Sequence, residues 1–436
     1  MRNERGAWMR RAFMGKRPCA LSRPVGASMP WLIGLALLAA PALLVRESWL
    51  FAYLAQAAAM VVFALSYNLL LGETGLLSFG HAAYAGLGAF VAAHCFNRGG
   101  IALPWLPLVG GAAGAVFGVV FGAVATRRAG TAFAMITLGI GELVAAAVWT
   151  LPEGFGGAAG VAIDRGSGPA WGNWSFGAPR EAYAVIAGWT ALSIVAMYAL
   201  TRTPLVRIAN AVRDNATRVG ALGIDPRRVR LAMFVLAAFF AGVAGTLTLI
   251  DVELVSSESV AMARSGAVLI ATVIGGSSAF FGPALGALVL TGMSVALAGV
   301  LRGWPVYLGL LFVAIVMRSP DGLAGWGRAH RAWVERYGIR ALAMVYPLAA
   351  ITAVAWTAAL VIAVESLYAW RFSADAGGAW RVGALAFDLR SSSTLAWLVA
   401  LIVIGAASRY VIAACSAAQG KAKAEAEAEA DEGKGR

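Results

Sequence analysis

The chain has 436 residues, 60% of them hydrophobic and only 13% charged, with a formal net charge of +13. Soluble domains average roughly 25% charged residues, so this composition, with a mean hydropathy of +0.75, excludes an ordinary water-soluble domain. The basic excess gathers in short loops between apolar runs and forms no aromatic-interleaved face, which argues against nucleic acid and follows the positive-inside pattern of membrane proteins.

Residues 1–30 are polar and basic, with Arg2, Arg5, Arg10, Arg11, Lys16, Arg17 and Arg23 against Glu4. The apolar run 31–45 that follows reads as an anchor helix, because the polar lead is long for a signal peptide. Further apolar runs fall at 48–71, 76–97, 101–126, 131–151, 181–201, 231–250, 265–277, 282–300, 304–317, 341–363 and 394–415. A spanning helix needs about 20 apolar residues, so the runs 265–277 and 304–317 predict short, broken or re-entrant helices. Counting from a cytoplasmic N-terminus puts Arg127 and Arg128, the arginine-rich segment 202–230 and the segment 318–340 on one side. The expectation is an all-α polytopic helical bundle of about ten helices plus two extra C-terminal hydrophobic segments, with both ends cytoplasmic. Its divisions are 1–30 (basic), 31–325 (main membrane domain), 326–415 (extension) and 416–436 (charged tail). Fifty-two glycines suit the close helix packing of such a bundle. The tail from Lys421 is low-complexity and charged.

No P-loop, HExxH or CxxC pattern occurs, so no enzyme or motor is expected and any ATP is handled by a partner. Four segments carry chemistry. The first, 68–90, is an apolar run interrupted by Gly72, Gly75, Gly80, Gly86 and Gly88. Such breaks free backbone groups that are tolerated only where they line a cavity or are buried in protein, and half-helix ends of this kind bind small zwitterions. Glu73, Ser78, His81 and Tyr84 add side-chain polarity; His81 on its own reads better as a satisfied structural histidine. The second is 131–149, where Thr137 and Glu142 sit mid-run; a carboxylate there is costly and is expected to face the bundle interior. It holds a solute ammonium, holds an arginine, or accepts helix–helix hydrogen bonds. The third is 265–290, broken at Gly275-Gly276 and Gly282-Pro283 much as the first is.

The fourth is 203–228. Thr203 is placed to cap a helix with Pro204 at its first position. Leu205, Ile208, Ala209, Val212, Ala216 and Val219 share one face, while Arg207, Asp214 and Arg218 lie on another. A short amphipathic helix of this kind fits a partner's groove or lies on anionic lipid.

Together these segments resemble the LivM-type permease subunits of branched-chain amino acid ABC importers. The family's glycine-rich motif stands as Asn68 to Ala82, and its Thr-Leu-Gly…Glu helix as Thr137-Leu138-Gly139 with Glu142. An outer glycine loop matches Gly156-Gly157 to Gly160. The ATPase-docking loop matches Arg213-Asp214-Asn215 through Leu222-Gly223-Ile224, the late segment Gly275-Gly276 to Gly286, and the close Pro320-Asp321-Gly322-Leu323. Glu73 and Leu76 stand where the family usually has Tyr and Gln, and alanines at 145–147 replace a basic residue, which leaves urea or other amides open as substrates. The resemblance implies a second homologous permease subunit, cytoplasmic ATP-binding subunits that hold the ATP, a periplasmic substrate-binding protein and surrounding membrane lipid, with no cofactor in this chain. It implies a substrate pathway of Glu73, Ser78, Gly80, His81, Tyr84, Thr137, Glu142, Gly275 and Gly276. It implies ATPase coupling through Arg207, Arg213, Asp214, Asn215, Arg218, Leu222 and Gly223. A proton- or sodium-driven secondary transporter with broken helices and a buried Glu142 is the reading from another class. The extension beyond residue 330 lies outside the family pattern.

Overall fold

The computed structural model describes residues 48–169, 174–319, 321–326, 330, 339–372, 380–382, 385–387, 391 and 393–410. The expected anchor run 31–45, both termini, Pro320 and most of the 327–338 loop lie outside these residues.

The fold is helical. Among the described residues the chain opens with α1 (Ser48–Thr74), α2 (His81–Gly99), α3 (Leu106–Ala125, entered through a 3-10 turn at Leu103–Trp105), α4 (Thr131–Thr150) and α5 (Pro179–Thr201). There follow α6 (Pro204–Ala221), α7 (Pro226–Val252), α8 (Met262–Gly275), α9 (Gly282–Gly292) and α10 (Trp304–Arg318). Among the described residues α11 (Ile339–Phe372) and α12 (Ser393–Tyr410) follow. Among the described residues, 8 helical segments are long and apolar enough to cross a membrane, and Gly282–Leu297 and Trp304–Arg318 are shorter apolar helices. The break expected after residue 275 is present: α8 stops at Gly275 and α9 restarts at Gly282.

The chain forms two compact units, one of residues 1–295 and 308–326, the other of 296–307 and 327–436. In the first, α3 and α7 lie antiparallel along a glycine stripe. Gly110 meets Gly242 and Thr246, Gly114 meets Ala238, Gly118 meets Ala238 and Val235, and Gly122 meets Phe234 and Leu231. Gly88 of α2 enters the same crossing beside Gly110 and Gly242. A Cβ at these positions would overlap the partner backbone or side chain, so the four-residue glycine spacing sets how closely α3 approaches. Helices in lipid have no hydrophobic drive toward each other and associate by such close contact.

The charged groups sort to the two ends of this unit. At one end Arg127 Nε and Arg227 Nη2 both donate to the Ala123 carbonyl, at 3.2 and 3.3 Å, which brings the 127–128 and 225–228 turns together. At the other, Val161–Ala162 (β1) pairs antiparallel with Leu254–Val255 (β2), and Arg165 Nε lies 2.9 Å from Glu253 Oε1. His94 Nε2 is hydrogen-bonded to the Gly154 carbonyl at 2.6 Å there, and Asn97 Nδ2 donates to that of Ala162 at 2.9 Å. Basic turns thus lie at one end of this unit and mixed-charge loops at the other.

The second unit contains a helical hairpin. Thr352 Oγ1 of α11 and Ser408 Oγ of α12 are 2.7 Å apart, and Trp356 lies against Gly405. α11 is about 50 Å long at 1.5 Å per residue, and its apolar span begins at Tyr346, beside Pro347.

Candidate functional site

The interrupted stretch between α1 and α2 is built against three other helices. The entry to α2 and its first turn have backbone N–H groups without helical partners, and two hydroxyl oxygens accept from two of them. Thr137 Oγ1 of α4 accepts from Phe79 N at 3.2 Å, and Ser265 Oγ of α8 accepts from Ala82 N at 2.9 Å. Gly80 precedes α2 and packs on α4; a Cβ there would collide with the Thr137 carbonyl. The helix end is therefore held inside the bundle without a side-chain cap of its own.

His81 is fully buried. Its Nε2 is 3.0 Å from Ser66 Oγ, and its ring stacks on Phe63 with centroids 5.4 Å apart. That is the environment of a structural histidine. Tyr67 donates to the Ser78 carbonyl at 3.0 Å, and Tyr84 packs edge-on against Phe234 at 5.1 Å. Asn68 Oδ1, Ser78 Oγ, His81 Nδ1 and the Tyr84 hydroxyl are buried with no hydrogen-bond partner among the described residues. Buried polar atoms are nearly always paired, so four such atoms on one interrupted segment set it apart from ordinary packing.

The second break closes on itself. A Cβ on Gly275 would overlap the Gly282 carbonyl, and one on Gly286 the Ala271 carbonyl. Gly276 has φ +99°, a backbone conformation that disfavours any side chain, and it faces the Asp321 carbonyl and Gly322. The two breaks are neighbours: a Cβ on Gly72 would lie 2.9 Å from the Ser277 carbonyl.

α6 reaches this place from its own segment. Asn210 Nδ2 donates to Glu73 Oε2 at 2.7 Å, Glu73 being only 4% exposed, and the Arg213 guanidinium donates to the Gly72 carbonyl. The Arg213 side chain also covers Gly75. α6 buries Val206, Ala209, Val212 and Val219 and leaves Arg207, Asp214, Arg218 and Leu222 exposed, Leu222 at 75%. Asp214 Oδ1 lies 3.3 Å from Arg213 Nε, and Gly223 ends the segment at φ +82°.

Three local expectations are corrected. The amphipathic helix is not continuous: Asn215 takes φ −158°, ψ 94°, and its Oδ1 accepts from Arg218 N at 2.9 Å, so it caps a second helical piece. Thr203 makes no cap and donates to the Leu200 carbonyl at 2.7 Å, while the Asp225 carboxylate does cap α7, accepting from Arg227 N at 2.9 Å. Glu142 does not turn into this chain's bundle; it lies exposed on α4 beside Leu143, on the side away from buried Val144 and Val148. The structure thus gathers Glu73, Ser78, Gly80, His81, Tyr84, Thr137, Gly275 and Gly276 around the paired breaks, and leaves Glu142 on the surface.

Sequence reasoning missed Ser66, Asn210, Arg264 and Ser265. Arg264, in the first turn of α8, donates to Thr248 Oγ1 at 2.8 Å and lies 5.8 Å over the Phe63 ring. A lone arginine opening an apolar run was the available signal. Asn210 and the serines carry none, since their partners are far off in sequence.

Comparison with known proteins bears on the same region. The family model for the branched-chain amino acid transport system / permease component matches residues 49–318. The chain is 30% identical over 290 residues to the high-affinity branched-chain amino acid transport system permease protein LivM of Escherichia coli (strain K12). It is 30% identical over 292 residues to the protein of the same name from Salmonella typhimurium (strain LT2). Each alignment covers 60% of this chain and 67% of the relative. No solved structure matches the chain. With its apolar spans, paired glycine breaks and matched core, the chain belongs to the branched-chain amino acid transport permease family and is a multi-pass membrane protein.

Proposed function

We propose that this chain is the transmembrane permease subunit of an ATP-driven importer that carries leucine, isoleucine and valine across a bacterial inner membrane, with both termini cytoplasmic. It works beside a second homologous permease, with cytoplasmic ATP-binding subunits that hydrolyse the ATP and a periplasmic substrate-binding protein that delivers the solute. The names of the two LivM relatives support the substrate class. The observation that carries the mechanism is the contact of Asn210 and Arg213 with Glu73 and Gly72. Movement of α6 by an ATPase bound to its exposed residues pulls directly on the end of α1. That end adjoins both glycine breaks, where unpaired polar atoms and freed backbone offer groups to a small zwitterion.

Glu142 fits the same reading. A carboxylate in the middle of a span is expensive against lipid, so the exposed α4 face is where the second permease and the pathway meet this chain.

The test is uptake of labelled leucine by cells lacking their own branched-chain importers and expressing this chain with its ATPase, binding-protein and second permease subunits. ATP-dependent uptake abolished by an inactive ATPase is expected. Uptake that persists without the ATPase would assign the chain to ion-coupled transport, and competition by urea but not by valine would move it to the amide carriers.

A further inference from the structure

The hairpin of α11 and α12 lies beyond the family-matched residues 49–318 and carries one buried carboxylate, Glu365, at 2% exposure within the apolar span Tyr346–Arg371. An ionisable group there is costly unless its partners are supplied by protein. Among the described residues its partners come from the turn that opens α10, inside the matched region. Gly303 N donates to Glu365 Oε1 at 2.9 Å, Arg302 N to Oε2 at 3.3 Å, and the Tyr307 hydroxyl to Oε1 at 3.1 Å. A Cβ at Gly303 would stand 2.7 Å from Val364 Cγ1 and 3.2 Å from Glu365 Oε1, so a side chain there would push on the docked hairpin. The free N–H groups at a helix N-terminus favour an anion, and here the anion is a side chain from sixty residues further along the chain.

We propose that the C-terminal hairpin is an intramolecular accessory subunit of the permease, docked on the 302–307 turn by Glu365, which is the positioning residue for that turn. The hairpin has the means to act as one body: Thr352 and Ser408 join its helices, and Gly405 leaves room for the Trp356 indole against α12. Glu365 occupies the donors that a lipid headgroup or a partner's acidic group would otherwise satisfy, so the start of α10 is closed to both. The extension is then a built-in substitute for an external neighbour of that turn.

The experiment uses the full chain with a protease site inserted after Trp326 and an affinity tag on the N-terminal side. The protein is cleaved in mild detergent, and the fraction of the C-terminal fragment that stays with the tagged fragment is measured. Wild type is expected to retain it. Glu365→Gln keeps a carbonyl oxygen that accepts from Gly303 N and should retain most of it. Glu365→Leu leaves the Tyr307 hydroxyl and two backbone donors without their acceptor, and retention should fall at least about tenfold, since hydrogen bonds to a charged group are among the stronger ones and buried donors left unpaired are costly. Tyr307→Phe removes one donor of the three without touching the carboxylate and should fall between. Release of the hairpin from cleaved wild type would overturn the proposal, as would equal retention by Glu365→Leu. Poor accumulation of Glu365→Leu alone leaves Tyr307→Phe decisive, and wild-type retention by that variant together with loss in Glu365→Gln would also overturn it.

Discussion

Asn210 Nδ2 on the short helix α6 and the buried Glu73 Oε2 at the end of the first long helix are 2.7 Å apart, across 137 positions of sequence. Three residues after Asn210, Arg213 reaches the carbonyl of Gly72, the residue before Glu73. α6 is thereby attached to the end of α1, and it is attached through a side chain that the sequence pattern placed on neither the apolar nor the charged face.

That attachment predicts an energetic coupling. Asn210→Ala removes a donor to a buried carboxylate and should lower stability by about 1.5–3 kcal/mol, read as the melting temperature of the chain in detergent. A cycle with Glu73→Gln should return a coupling energy of about 1 kcal/mol or more between the two sites, because residues in one hydrogen bond are not additive. Additive effects within about 0.3 kcal/mol would show the contact to be idle.

The glycine breaks predict a steric requirement. Gly80→Leu drives a side chain into the Thr137 carbonyl, and uptake should be abolished while membrane insertion persists. Gly276→Val adds strain at φ +99° and a collision with the Asp321 carbonyl. Normal uptake by Gly80→Leu would remove that segment from the pathway.

The position of Glu142 separates function from packing. Its side chain is exposed on the chain by itself, with no hydrogen bond or ion pair among the described residues. Glu142→Gln should therefore leave the melting temperature of the isolated chain unchanged. In the importer proposed above it should lower uptake at least several-fold, through loss of a desolvated charge contact. An unchanged uptake rate would reduce Glu142 to a surface carboxylate.

Much of this arrangement was legible in the sequence because it depends on composition and short spacing. The spans announce themselves by apolar length, the breaks by Gly75, Gly80, Gly276 and Gly282, and α6 by its alternating faces and by Pro204 and Pro226. What was not legible depends on long-range pairing. Which hydroxyl meets the free N–H of Ala82 is settled by where α8 lands, 183 positions later. The kink at Asn215 follows from a side chain competing for the backbone, as Asn does in turns, and periodicity does not report it. The exposure of Glu142 could not be read because the cost argument says only that protein must cover the carboxylate, without saying which chain. Glu365 was overlooked for a related reason: it lies close to the end of an apolar run, and its value comes from a turn that the sequence gives no cause to place beside it.

The orientation and the coupling are tested together at α6. Arg213 is a poor position for charge reversal, because its guanidinium already serves the Gly72 carbonyl and its loss would damage the permease itself. Leu222 and Arg218 are better, since both are exposed and neither side chain is committed within the described residues. First, Arg218→Cys should resist a membrane-impermeant thiol reagent in intact cells and react after permeabilisation. Ser167→Cys, exposed at the opposite end of the unit, should react in both. Second, Leu222→Asp with Arg218→Glu places negative charge where an apolar tip and a cation stood. Burying an unpaired charge in an interface costs several kcal/mol, so co-purification of the ATPase and substrate-stimulated ATP hydrolysis should both be lost, while insertion and melting of the isolated chain stay as in wild type. If the charge-reversed protein keeps the ATPase and its stimulation, α6 rests on lipid, and its attachment to Glu73 serves the fold of α1 and transmits nothing.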